Sequence, residues 1–538
     1  MWKRHLLLVA VGLAGLAGIT GQLLIPRRIT DPRDFQPRRY RQPEFQQALA
    51  RVNQQFARDW KEAGLEPAGM ADGLTVARRL SLGLTGSIAS LEEIRALEAR
   101  PAELRIAWWL DRLLEDRRYA DYMAERLARA YVGTENGPFL VYRRRRFVSW
   151  LSDQLHHNRP YDQMVRSLIS DDGLWTDTPA VNFLTVTSRA DAGNQPDPVR
   201  LAARTARAFL GVRLDCVECH DDNLGGDWRQ VDFHQLAAYY GQARFSLLGI
   251  RDRGGEYACT YLGESEPQVV PPQVPFASEL APAQGPRRRQ LARWVTHPEN
   301  AAFARAIVNR VWALLLGRPL VEPIDNLPLE GPFPPGLEEL AEDFTTHGYD
   351  LRRLIRLIAM SDVMQLDSRA AHEVTVAHER HWCVYPLTRL RPEQVAGSLL
   401  QSAWLSTVDA HAHILVRLAR SAQQDEFVRR YGDTGEDEFA AHGGTIPQRL
   451  LLMNGNLVKE RTRDNLLANA ATRIAVLAPD DRQAVEAAYL AVLTRRPSRA
   501  EAAQFSMRLQ NSRGPARIAA LEDIYWTLLN STEFSWNH

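Results

Sequence analysis

The chain has 538 residues, a formal net charge of +1, and hydrophobic and charged fractions of 45% and 24%. These values are typical of an ordinary globular protein with several domains, and the near-neutral charge argues against a strongly polyanionic partner. Two arginine runs, residues 143–146 and 287–289, come without an RNP, zinc-finger or phosphate-loop motif. We therefore expect these runs to pair with nearby carboxylates, and we expect no nucleic-acid binding.

The N-terminal segment, residues 1–28, is predicted to be a signal peptide or a membrane anchor. A basic stretch from Met1 to His5 precedes an almost uninterrupted apolar run from Leu6 to Ile25. A helix of that length spans about 30 Å, the thickness of one hydrocarbon core. Because no A-x-A cleavage site is present, an uncleaved anchor through residues 6–25 is slightly favoured. In both cases the rest of the chain is expected to be exported, to the periplasm or the cell surface.

Helical periodicity dominates from about residue 45. Apolar residues recur at three- and four-residue intervals over 103–131 and again over 147–169, where Pro160 interrupts them. That spacing predicts amphipathic helices. A further helix is expected over 201–210 and a short one over 232–240.

The sequence changes character after residue 245. Alternating apolar residues at 245–250 and 257–261 predict short strands, and five prolines between Pro267 and Pro282 indicate a linker. The helical pattern returns at residue 288, whereas the charged, glycine-containing segment 420–442 is predicted to be a loop.

The expected fold class is therefore mainly α, with two helical modules joined by a short β-rich, proline-rich connecting segment and preceded by an N-terminal hydrophobic helix. The predicted boundaries are 1–28 for the signal or anchor, 45–245 for the first module, 246–286 for the connecting segment and 287–538 for the second module.

The strongest motif is Cys216-Val217-Glu218-Cys219-His220. C-x-x-C-H is the arrangement that attaches a c-type haem, because the thiols form thioethers to the porphyrin vinyl groups and the imidazole binds the iron. Only four cysteines occur in the chain, so a chance match is improbable. We expect a c-type haem on Cys216, Cys219 and His220, and electron transfer to an unknown redox partner.

The sixth iron ligand is left open by the sequence. His234 lies fourteen residues beyond His220, which is far enough for the chain to turn back. A methionine is the other common choice and would close the site for electron transfer. The candidates are Met123, Met164, Met360 and Met453.

Three alternatives to haem remain. Cys216 and Cys219 form a short-loop disulfide or stay structural thiols; or they bind zinc with His220 and a carboxylate; or calcium binds the acidic run that begins at Asp221 and Asp222. In these cases the protein is a cell-surface structural or polysaccharide-handling protein whose partner belongs to the cell envelope. No H-E-x-x-H or G-x-S-x-G motif is present, so no hydrolytic activity is predicted.

A second motif, in the C-terminal half, is Asn309-Arg310-Val311-Trp312. On a helix its polar residues either line a binding pocket or brace helix packing, since arginine bonds neighbouring carbonyls and carboxylates. The sequence favours the bracing role.

Several short stretches carry a family resemblance. They are Arg78-Arg79-Leu80, Leu84-Thr85-Gly86, Asp232-Phe233-His234, Asn309-Arg310-Val311-Trp312 and Gly348-Tyr349-Asp350-Leu351. With them the chain resembles, from near residue 45 to its end, the planctomycetal secreted family that combines a planctomycete cytochrome-c domain with a planctomycete surface domain. Both are domains of unknown function, so the resemblance implies a helical fold, export and a cytochrome-like motif.

The chain departs from this family at its central motif. The family usually reads C-x-x-C-H-D-H-P-F-D, whereas here Asp222 stands in place of the second histidine. If that histidine binds a metal or the iron in the family, this chain lacks the ligand.

Overall fold

The computed structural model is mainly helical, as predicted. It describes residues 31–33, 35–134, 142–189, 193–221, 228–407, 414–432, 439, 444–455, 458 and 469–538. The predicted N-terminal hydrophobic helix, residues 6–25, lies outside these ranges. Within them, no helix combines the length and the apolarity needed to cross a membrane.

The first half of the chain consists of helices joined by short turns. They are α1 Pro43–Ala63, α2 Gly73–Thr85, α3 Leu91–Glu98, α4 Arg105–Glu115, α5 Arg117–Val132, α6 Arg144–His156, α7 Tyr161–Ser170, α8 Asn182–Thr185, α9 Pro198–Thr205 and α10 Gln230–Ala237. The helical periodicity over 103–131 and 147–169 is confirmed, each stretch forming two helices. Asp116 separates the first two because its side chain caps α5 at the amide of Arg118, and Pro160 separates the other two.

Two short hairpins follow, in the region where the alternating pattern predicts strands. Strand β1 (Ala243–Ser246) pairs antiparallel with β2 (Gly249–Asp252), with Phe245 opposite Ile250. Strand β3 (Ala258–Cys259) pairs in the same way with β4 (Gln268–Val269). The prediction of short strands here is confirmed.

The second half is again helical, and its one strand pair joins distant parts of the chain. The elements are α11 Arg287–Val295, α12 Ala301–Leu316, α13 Leu337–Thr346, α14 Leu351–Met360, α15 Asp362–Gln365, α16 Val376–Arg380, β5 Thr388–Arg389, α17 Pro392–Ser402, α18 Ile414–Tyr431, α19 Ile446–Asn454, α20 Ala470–Leu477, α21 Asp481–Leu493, α22 Arg499–Leu509, α23 Pro515–Leu529 and β6 Trp536–Asn537. Strand β6, at the C-terminus, pairs antiparallel with β5.

The loop predicted over 420–442 is wrong for residues 420–431, which form the end of α18. Phe427, Val428 and Tyr431 are all buried there, at one- and four-residue spacings that place them on one helix face. The many charged residues between them conceal this narrow apolar stripe in the sequence.

The helices of both predicted modules share one hydrophobic core. Helix α12 lies at its centre and is buried almost throughout, because nearly all of its residues are apolar. Helix α2 of the first module packs against it at Gly83, where an added Cβ would lie 3.2 Å from the Cα of Leu315. Helices α1 and α13, and α4 and α14, pack together in the same way. The exact module boundaries stay a prediction.

The two arginine runs pair with carboxylates, as predicted. Arg144 lies 2.7 Å from Glu125, and Arg287 lies 2.6 Å from Glu256. Arg288 is buried and bridges Asp252 and Asp172. These arginines therefore stabilise the fold locally.

Arg78 and Arg79 of α2 are fully buried and bind backbone carbonyls from the C-terminal half. The Arg79 guanidinium donates to the carbonyls of Met364, Leu366 and His538 at 2.7–3.0 Å. Its carbon lies 3.6 Å from the centre of the Tyr385 ring. One side chain of the first module thus satisfies three carbonyls of the second, including that of the last residue.

We predict that Arg79→Met lowers the free energy of unfolding by about 3 kcal/mol, because the substitution leaves three buried carbonyls without a donor. Urea denaturation measures this change. The matched control is Arg58→Met, an exposed arginine of α1, for which the expected change is within about 0.5 kcal/mol. Equal losses for the two variants would contradict this role of Arg79.

Arg495, which follows α21, holds the C-terminal helices together through two carboxylates. Its guanidinium nitrogens lie 2.9 Å from both oxygens of Glu501 and 2.7 Å from Glu533. Hydrogen bonds from Arg495, and further ones from Ser498, lower the pKa of Glu501 from 4.5 to about 2. A carboxyl whose pKa is depressed in the folded state stabilises the fold above its unfolded pKa, and loses that contribution as the pH falls through its folded pKa.

We therefore predict that Arg495→Gln lowers the denaturation midpoint at pH 7, and that its difference from the wild type narrows as the pH falls below about 4.5. Midpoints measured between pH 7 and pH 3 test this. Arg508→Gln is the control: it breaks an ion pair with Asp523 in which both side chains are more than half exposed, so we expect little effect at any pH. A difference that stays constant with pH would contradict the prediction.

Candidate functional site

The C-x-x-C-H motif forms a surface turn at the end of a helix. Helix α9 continues into one π-helical turn, Ala206–Leu210, which ends at Gly211 in the left-handed conformation, with φ 64°. The chain then forms a 3₁₀ turn, Asp215–Val217. Val217 is buried and anchors this turn, whereas the side chains of Cys216, Cys219 and His220 are exposed.

All four cysteines are free thiols. Cys216 and Cys219 therefore do not form the short-loop disulfide considered above, and Cys259 and Cys383 are not bonded to each other. Burial raises the pKa of the Cys259 thiol, and raises that of Cys383 to about 11, so both are poor nucleophiles at neutral pH. The two exposed thiols of the motif are the accessible ones.

The His220 ring is oriented by its own loop. Its Nδ1 lies 2.7 Å from the carbonyl oxygen of Asp221, so Nδ1 carries the proton and donates. Its Nε2 has no hydrogen bond among the described residues, and in this tautomer it carries a free lone pair. A backbone carbonyl that accepts from the other ring nitrogen is the usual arrangement behind a metal-binding histidine.

His234, the candidate sixth ligand, lies on α10 directly beneath the motif. Its Nε2 donates to the carbonyl of Glu218 at 3.1 Å, and its Nδ1 accepts from the hydroxyl of Tyr257 at 2.8 Å. Burial lowers the pKa of this imidazole, although the bond to Glu218 acts in the opposite direction. Both ring nitrogens are therefore engaged, and iron ligation by His234 would require the bond to Glu218 to break.

Gln230, at the start of α10, also holds the motif and was not singled out from the sequence. Its side-chain amide donates to the Glu218 carbonyl at 3.1 Å and accepts from the amide of Leu262 at 3.1 Å. Its backbone amide donates to the Asp221 carboxylate at 2.8 Å. The only sequence signal for this role is its place in the first turn of the helix that follows the motif.

The acidic residues after the motif act largely as helix caps. Asp221 caps the amide of Gln230, and Asp232 accepts from the amide of Arg229. Asp222, the other candidate metal ligand, lies outside the described residues. Across the part of the chain that is described, no three His, Cys, Asp or Glu side chains converge as a metal site would require.

The candidate methionine ligands lie in different environments. Met123 and Met164 are fully buried in the hydrophobic core, whereas His220 is exposed. Met360 is half-buried against the same core, and Met453 is 36% exposed. Neither of the two core methionines reaches the surface on which His220 lies.

The motif is also tied to the second half of the chain. The carbonyl of Gly211 accepts from the amide of Leu327 at 2.7 Å. Arg213 and Arg207 both bind the carboxylate of Asp325, at 2.7 and 3.0 Å. Burial would raise the pKa of Asp325, but these two arginines lower it below its usual range. Asp325 is therefore a charged anchor shared by two arginines beside the motif.

The residues of the second motif have different roles. Asn309 pairs with the backbone of Val321 through two hydrogen bonds of 2.9 and 3.0 Å. Trp312 is buried, stacked on Phe56 and edge-on to Trp382. These two residues brace the packing, as predicted. Arg310 does not: it faces a cavity.

The fold and the site thus define a mainly helical protein with a C-x-x-C-H turn held between two helical halves. The family model PSCyt2, described as a protein of unknown function (DUF1549), matches residues 51–245, and PSD1, a protein of unknown function (DUF1553), matches residues 287–431. The chain belongs to the family that combines these two planctomycete-associated domains of unknown function. No curated protein and no solved structure matches it.

We predict that Tyr257→Phe accelerates hydrogen exchange at the backbone amides of residues 216–221, because the His234 ring then loses one of its two hydrogen bonds. The expected loss in the free energy of unfolding is about 1 kcal/mol. Exchange followed by mass spectrometry measures the first effect. The control is Tyr239→Phe, a buried tyrosine nearby whose hydroxyl has no partner in the described part of the chain. Unchanged exchange in Tyr257→Phe would contradict the bracing role of His234.

Proposed function

We propose that this protein is an exported electron carrier with one c-type haem on Cys216, Cys219 and His220. The observation that supports it best is that all three donors are exposed and uncommitted on one turn. The thiols are free, and the Nε2 atom of His220 is unbonded among the described residues.

The donor set fits a c-type haem. Cys216 and Cys219 would form the thioethers, and His220 would be the axial ligand through Nε2. When bound, the haem supplies one-electron transfer at its iron. The Asp221 carbonyl fixes the tautomer and orientation of the His220 imidazole. Val217, buried below the turn, keeps the two thiols at the surface.

In this proposal His234 supports the motif from below. It holds the Glu218 carbonyl, which lies between the two cysteines and the axial histidine in the chain. The sixth ligand then comes from outside this hydrogen-bonded set, or the position stays open to small molecules. An open position favours ligand binding, whereas a methionine favours electron transfer.

We also propose that residues 6–25 anchor the protein to the membrane and leave the remainder in the periplasm or on the cell surface. The apolar run, its basic flank and the location of c-type haem attachment support this. Comparing membrane fractions of the full chain and of a chain without residues 1–30 tests the anchor. Equal release of both into the soluble fraction would contradict it.

We predict that the full chain, produced in bacteria with active c-type haem maturation, gives a pyridine haemochrome spectrum and a mass increase equal to one haem. Cys216→Ser and Cys219→Ser together are expected to abolish covalent haem, because no thioether can form. Cys259→Ser is the matched control and is expected to keep it. A colourless wild-type protein with the mass of the bare polypeptide would refute the proposal.

A further inference from the structure

The largest cavity of the described structure lies between the two helical halves, on the side of Asp325, and has a volume of about 1260 Å³. Residues of both family-model matches line it, together with Trp536 and Asn537 from the C-terminal strand β6. Among the described residues, its lining contains eight arginines and three carboxylates. The cavity is therefore strongly basic, although the whole chain is nearly neutral.

Some of these arginines are neutralised by carboxylates. Arg207 and Arg213 share Asp325, and Arg391 binds Glu393 at 3.1 Å and the hydroxyl of Tyr122. These residues form part of the wall, and they do not account for the excess positive charge.

Arg310 is different. It is 7% exposed, it lines the cavity, and it has no hydrogen bond or ion pair with any described residue. Buried charged groups are normally paired or hydrogen-bonded, because removing a charge from water is costly. Its neighbours Asn309 and Trp312 already perform the packing roles on α12. A guanidinium held in this way is available to a ligand.

Two further arginines of the wall make no ion pair with a described carboxylate. Arg318 donates to the backbone carbonyl of Glu379 at 2.6 Å and lies over the ring of Trp382. Arg389, on β5, donates to the hydroxyl of Tyr431 at 3.1 Å. Both bind neutral groups, so their positive charge is not compensated within the wall.

We propose that this cavity binds a small-molecule-sized anion with two or more carboxylate, sulfate or phosphate groups. Arg310, Arg318 and Arg389 are the recognition residues, because a planar guanidinium binds such oxyanions through two parallel hydrogen bonds. The volume exceeds the usual range for drug-sized ligands, about 300–1,000 Å³, so a single inorganic ion would not fill it.

The rest of the lining suits the uncharged part of such a ligand. Gln394, Gln448 and Asn537 offer amide groups, and the rings of Tyr431 and Trp536 offer apolar faces. Trp536 is 37% exposed. A sugar or a nucleoside would be held by this combination of amides and aromatic rings. This inference does not depend on haem.

The test is isothermal titration calorimetry of the purified full chain with four probes. Tetragalacturonate carries carboxylates, a heparin-derived tetrasaccharide carries sulfates, adenosine diphosphate carries phosphates, and maltotetraose is the neutral counterpart. We expect at least one anionic probe to bind, with an affinity that falls as the salt concentration rises. The probe that binds identifies the source of the oxyanion.

The same titration with variants locates the site. Arg310→Met is expected to weaken binding about tenfold or more, and Arg389→Met, which is only half-buried and less disruptive to folding, is expected to act in the same direction. Arg482→Met, an exposed arginine outside the cavity, is the control and should bind as the wild type does. Thermal melting confirms that each variant is folded. No binding of any anionic probe, equal binding of maltotetraose, or unchanged affinity in both cavity variants would overturn the proposal.

Discussion

Two buried guanidinium groups on α2 connect the halves of this molecule. Burial lowers the pKa of Arg78 and of Arg79 to about 10, so both remain charged at neutral pH. The charge is tolerated because backbone carbonyls surround it: those of Val492 and Phe534 for Arg78, and three others for Arg79. One of these belongs to His538, which directly follows β6. Since β6 and β5 line the arginine-rich cavity, the buried arginines fix that wall as well as the core.

The C-x-x-C-H turn depends on the same connection between the halves. Gly211 is held by the amide of Leu327, and Asp325 binds two arginines that flank the motif. Asp325 also lines the cavity. The proposed haem site and the proposed anion site therefore share a wall, and neither would exist in an isolated domain. This gives a physical reason for one chain to combine the two family domains.

Local patterns in the sequence predicted a large part of the fold. Helical periodicity located α4 to α7, alternation located the first hairpin, and the cysteine spacing located an exposed turn. The role of His234 was not predictable, because its partners Glu218 and Tyr257 lie on either side of it in the chain and meet it only after folding. The cavity was missed for a related reason. Its arginines are widely separated in sequence, and a net charge of +1 averages over them.

Helix α12 shows why a motif and its function have to be separated residue by residue. Successive residues of an α-helix point about 100° apart, so three near neighbours contact three different surroundings. Asn309 fixes the turn at Val321, and Trp312 fills the core, so substitution of either would damage the fold. Arg310 performs no such task, and keeping its charge in a position 7% exposed opposes folding. A side chain that destabilises the empty protein in this way, and whose neighbours already supply the packing, is explained by a bound anion that restores its missing partner.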